Sequence, residues 1–167
     1  MTFVARQPDI DGRVYDLLCG TGLDPVMFDG DTAYCAIGEL ASNTATPPHV
    51  LSKIFHDVQE PHLARWTLPG LAANRSTPPE ILQSLADRGG DLTDGLASNP
   101  SAPLGFLERL ARERPKEYGL ALLENQALPE EALVKVVEGM KGDELFDEEI
   151  ATSILAHENC SGRVWMR

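Results

Sequence analysis

Apolar residues recur along this chain in a fixed rhythm around an asparagine. Four stretches carry it: LASNTATPPHVLSKIF from Leu40, LAANRSTPPEILQSLA from Leu71, LASNPSAPLGFLERLA from Leu96 and LLENQALPEEALVKVV from Leu122. Aligned on Asn43, Asn74, Asn99 and Asn125, a leucine always stands three residues earlier (Leu40, Leu71, Leu96, Leu122). A proline always stands four residues later (Pro47, Pro78, Pro103, Pro129), and a second leucine eight later (Leu51, Leu82, Leu107, Leu133). The seventh, eleventh and twelfth positions after the asparagine are apolar in every copy, from Val50, Ile54 and Phe55 to Ala132, Val136 and Val137. These offsets lay one apolar stripe along a helix that starts near the proline, wide enough to pack on neighbours at both sides. The chain therefore reads as a repeat.

Local chemistry sets the helix start. Thr77 is a natural N-cap, Pro78 suits the first helical position, and Glu80 stands three residues after Thr77 as in a capping box. A proline there sacrifices no bond, because first-turn amides lack intrahelical partners. The asparagine is expected to be structural: its amide can pair with backbone groups of the turn, and stacked copies can build a ladder.

Successive asparagines are 31, 25 and 26 residues apart, so the first linker is the longest. Its sequence, VQEPHLARWTLPG, has Pro61 placed to open a short helix. The linkers DRGGDLTDG and RERPKEYGLA leave room only for a short turn or a 3₁₀ segment. Residues 1–35 read as an irregular N-terminal cap or degenerate repeat, 36–140 as four repeats, and 141–167 as a half-repeat and cap, with Asn159 lacking its proline. Atypical ends are expected when a stack of repeats must close itself.

The unit LASNPSAPLGFLERLA resembles the leucine-rich repeat variant family of bacterial proteins. The resemblance spans residues 36–140 and, more weakly, 141–160. It implies an all-α, right-handed solenoid of one α-helix plus one short 3₁₀ or helical element per repeat. Some members of that family carry an N-terminal cysteine cluster for an iron–sulfur centre. Cys19 and Cys35 are too few for four thiolates, so no cluster is expected here.

Composition narrows the function. The net charge is −12, with seven acids against one arginine between Asp9 and Glu39 and six against one lysine between Glu138 and Glu149. Such a surface repels phosphate backbones and anionic membranes, so neither nucleic acid nor membrane is an expected partner. Three unrelated cysteines point to reduced thiols, and neither the start MTFVARQPDI nor any later stretch reads as a signal peptide or a membrane span. A cytoplasmic location is expected.

Candidate chemistry is sparse. In HDVQEPH, residues 56–62, Pro61 interrupts any convergence of His56, Asp57, Glu60 and His62 on a metal. DGDTAY, residues 29–34, lacks the glycine and glutamate of a calcium loop, and CGTG, residues 19–22, lacks the lysine of a phosphate loop. No Ser/His/Asp or Cys/His set stands out by spacing, and His157 near Cys160 is left open as a pair. No cofactor, metal or catalytic residue is assigned. Trp66 either covers the irregular first junction or stands out as an anchor beside Arg65, and Tyr118 beside Lys116 is a parallel case. Arg109, Arg112, Arg114 and Lys116 form a local basic patch that also suits a helix C-terminus.

The expectation is a non-catalytic protein-interaction module whose contacts fall on Arg65, Trp66, Lys116 and Tyr118. The competing readings are an acidic regulator or decoy for a basic protein, DNA-binding proteins among them, and a helical-repeat enzyme. The sequence leaves the partner and the oligomeric state open.

Overall fold

A computed structural model describes residues 31–58, 61–140, 157 and 159. The expected N-terminal cap before residue 31, most of the C-terminal half-repeat, Cys19, Cys160 and Trp165 lie outside the described residues. Among the described residues the structure is all-helical, without a β-strand. The helices are α1 (Asp31–Ser42), α2 (Pro48–Asp57), α3 (Pro61–Ala73), α4 (Pro79–Arg88), a 3₁₀ turn (Gly90–Leu92), α5 (Thr93–Ser98), α6 (Leu104–Glu113), α7 (Pro115–Glu124) and α8 (Glu130–Met140). The chain divides into two compact units, Met1–Gly95 and Leu96–Arg167.

The apolar columns of the repeat are the core. All eight landmark leucines, before and after the asparagines, are buried. Val50, Ile81, Phe106 and Ala132 join them, as do Ile54, Leu85, Leu110 and Val136. Burying each of the Leu, Ile, Val and Phe side chains among them contributes roughly 1.5–3 kcal/mol. The twelfth-position column is less uniform: Phe55 is only half-buried, and Arg88 of α4 covers its ring at 5.4 Å.

The helix starts differ from the capping-box expectation. Pro47, Pro78 and Pro103 are themselves the N-caps, in extended conformation, and none of these caps has a side-chain hydrogen bond. The doubled prolines explain this in α2 and α4. Pro48 and Pro79 sit at the first helical position, and a proline excludes the helical region for the residue before it, here another proline. The carbonyls of Pro47, Pro78, Pro103 and Pro129 then each accept the first two helical amide bonds, for instance from Ile81 and Leu82 onto Pro78. Thr77 turns the other way: its hydroxyl donates to the Leu71 carbonyl at 2.7 Å, and Thr46 does the same to Leu40.

The second element of the repeat is also larger than expected. Only the DRGGDLTDG linker is a 3₁₀ turn with a short helix; α3 runs 13 residues, and the PKEYGLA part of RERPKEYGLA opens the 10-residue α7. Pro115 opens α7 at its first turn, where a missing amide costs nothing. Close packing of these second helices depends on glycine. A Cβ at Gly70 of α3 would meet Ser42 and Ala41 of α1 at 2.6–3.1 Å, and one at Gly95 of α5 would meet Ala73 and Ala72 of α3 at 3.2–3.4 Å. Both glycines stand four residues before an asparagine, facing the two residues before the previous one.

Candidate functional site

The most regular polar structure is the asparagine turn. In each copy the Oδ1 of Asn43, Asn74, Asn99 or Asn125 accepts from the amide two residues on, at 2.8–3.0 Å. Asn74 Nδ2 donates to the carbonyls of Ala41 and Asn43 at 2.8 and 2.9 Å. In the second unit, Asn125 Nδ2 donates to the equivalent carbonyls of Ala97 and Asn99 at the same distances. One side chain thus closes its own turn and ties it to the preceding one. Asn74, Asn99 and Asn125 are buried and already occupied with backbone, which makes them scaffold rather than contact surface.

His157 continues the series. Its Nε2 lies 2.9 Å from the Asn125 carbonyl, the bond the next asparagine would make, and Nδ1 accepts from the Asn159 amide at 3.2 Å. The Asn125 carbonyl can only accept and the Asn159 amide can only donate, which assigns the ring proton to Nε2. Asn159 donates instead to the carbonyls of Gln126 and Leu128. The landmark of the last turn is therefore His157, not Asn159. The signal was in the sequence: Ile154 precedes His157 by three residues, as leucine precedes each asparagine.

The four predicted contact residues separate into two pairs, one in each unit. Arg65 and Trp66 are adjacent on the outer side of α3 and both are exposed, Trp66 at 58%. The Trp66 carbonyl faces Gly38 of α1, where a Cβ would come within 2.9 Å, while the indole stands clear of the core. Trp66 sits on the 13-residue helix that forms in place of an irregular linker, and its exposure shows that it does not cover that junction. Exposed Pro61, Pro69 and Ala73 continue the same side of α3. Pro69 lies inside the helix and has no amide to offer the Arg65 carbonyl four residues earlier.

On α7, Lys116 is exposed but Tyr118 is buried, with the Arg114 guanidinium 4.9 Å from its ring centroid. The Tyr118 ring therefore packs inward and offers no exposed anchor, because the linker formed a helix with an inner face. An open groove of about 540 Å³ lies beside Lys116, with Arg112, Arg114, Glu113 and Glu117 around it. Arg114 pairs with Glu117, and Arg112 lies 3.7 Å from Glu113, so the basic patch is largely neutralised by its own helix neighbours. Exposed pairs of this kind contribute only about 0–1 kcal/mol each.

Among the described residues, no group of three or more His, Cys, Asp or Glu gathers as metal ligands. His56 is exposed, its ring edge-on to Phe55 at 5.6 Å. No helix among the described residues is long and apolar enough to cross a membrane. Comparison of the chain with family models, with curated proteins and with solved structures finds no match.

Proposed function

We propose that this protein is a non-catalytic, cytoplasmic protein-interaction module built as a right-handed stack of helical repeats of the leucine-rich repeat variant kind. The repeated asparagine turn, present with equal geometry within each unit, supports the stacking. The observation that carries the functional reading is Trp66, a large aromatic left 58% exposed beside an exposed arginine on a firm helix. Tryptophan and arginine are the side chains most often found to dominate binding energy at protein interfaces. Lys116 marks a secondary contact region on α7. The strongly acidic balance opposes nucleic acid and anionic lipid as partners.

The test is affinity capture with the full chain, washed at low and at high salt, in parallel with Trp66→Ala. One stoichiometric protein that survives both washes and is lost with Trp66→Ala supports the module. A partner that is basic and released by salt favours the acidic decoy instead. Recovery of no specific protein overturns the module.

A further inference from the structure

Within a chain that averages one acid in about every six residues, the 19 residues from Pro61 to Pro79 contain none. That window holds all of α3 and the turn after it, and its basic residues include Arg65 and Arg75, both exposed. Arg65 has no ion pair or hydrogen-bond acceptor for its guanidinium among the described residues. Other arginines are engaged: Arg88 on Phe55, Arg109 on Phe106, Arg112 with Glu113 and Arg114 with Glu117. The exposed side of α3 thus joins an unpaired guanidinium to an exposed indole, flanked by Pro69 and Ala73 and free of carboxylates along the helix.

We propose that this side of α3 docks an acidic segment of a partner protein, with a carboxylate on Arg65 and a neighbouring apolar side chain on Trp66. The inference rests on the interaction-module reading and gives the partner its chemistry. A guanidinium presents a planar fork that matches a carboxylate through two hydrogen bonds. The indole supplies apolar area with little conformational entropy to lose. Elsewhere the protein's own negative field opposes an acidic ligand, so the acid-free helix is where such a segment meets attraction. A basic segment would meet Arg65 as a like charge here.

The experiment selects a random peptide library displayed on phage against the immobilised full chain, then measures single enriched peptides by fluorescence anisotropy. The expected enrichment is of sequences with Asp or Glu beside Leu, Phe, Trp or Met. Trp66→Ala is expected to weaken their binding by about thirtyfold or more, and Arg65→Glu by at least as much. Arg65→Lys is expected to keep part of the affinity, since it retains the charge without the fork. Both positions are exposed, and unchanged thermal midpoints of the variants show that binding, not folding, has been altered. Enrichment of basic peptides, equal binding by Arg65→Glu, or no enrichment overturns the proposal. The two readings fail separately. A captured cellular partner still held by Trp66→Ala and Arg65→Glu leaves a module that binds elsewhere, whereas absence of any partner removes the module itself.

Discussion

The Nε2 of His157 sits 2.9 Å from the carbonyl of Asn125, which is the distance at which Asn125 Nδ2 reaches the carbonyl of Asn99. Imidazole and carboxamide share what this position demands, a donor on one side and an acceptor on the other. His157→Asn is therefore expected to hold stability within about 1 kcal/mol of the original, because both backbone bonds can be remade. His157→Phe fills the space without either bond: the Asn125 carbonyl keeps only the Leu128 amide and the half-buried bond from the exposed Asn159 is lost, costing about 1–2 kcal/mol. Chemical denaturation of the two variants decides it, and equal midpoints would remove the histidine from the ladder.

Asn74 carries three bonds through one buried side chain: two given to the carbonyls of Ala41 and Asn43, one taken from the Ser76 amide. Asn74→Ala removes all three and is expected to cost about 2–4 kcal/mol. Asn74→Asp keeps the acceptor but turns a buried carboxylate oxygen towards two carbonyls. It is expected to be at least as damaging near neutral pH, although it is nearly isosteric. Urea unfolding of both variants beside Asn43→Ala, whose site is only half-buried, gives the comparison.

Thr77 and Glu80 separate the observed helix start from the one the sequence suggests. A capping box would make both residues matter. Here the Thr77 hydroxyl reaches back to Leu71 and Glu80 is exposed on the first turn of α4. Thr77→Val is expected to cost about 1–2 kcal/mol through the lost buried bond, and Thr77→Ser to retain most of it. Glu80→Ala is expected to stay within about 0.5 kcal/mol, the ordinary range for an exposed substitution. A large loss from Glu80→Ala would restore the capping box.

The repeating half of the architecture was legible because invariant spacing reports packing directly. Leu82 and Leu107 are buried where the apolar stripe put them, and the asparagine columns lie in the turns. The second helices were less legible because their composition is mixed. RERPKEYGLA carries five charged residues and one glycine, so no apolar period announces that Tyr118 joins the landmark Leu122 on an inner face. The same gap hid the role of Tyr118. Residue identity alone does not reveal His157, since the turn selects for donor and acceptor reach and not for asparagine as such. At Arg65 and Trp66 the residue types point to an interface, but only the 13-residue helix shows which way the indole faces.

Glycines in three different settings make a graded test of the second-helix packing. A Cβ at Gly70 would lie 2.6 Å from Ser42 Oγ and 3.1 Å from both Ala41 Cβ and the Ser42 amide nitrogen. The hydroxyl is itself bonded to the Gly38 carbonyl at 2.9 Å and cannot swing aside without losing that bond. Gly70→Ala is therefore expected to push α1 and α3 apart and to destabilise by about 1–3 kcal/mol, despite alanine's helix propensity. Gly95 has its nearest neighbours at 3.2–3.4 Å, so Gly95→Ala needs a shift of only a few tenths of an ångström and its cost should be near zero to about 1 kcal/mol. Gly105, in the first turn of α6, would add a Cβ into open space, and Gly105→Ala is expected to stabilise by about 0.5 kcal/mol. The order of thermal midpoints, Gly105→Ala above the original and Gly70→Ala lowest, is the result that close backbone packing requires. If Gly70→Ala instead matched Gly105→Ala, propensity alone would govern these helices and the glycine contacts would carry no stability.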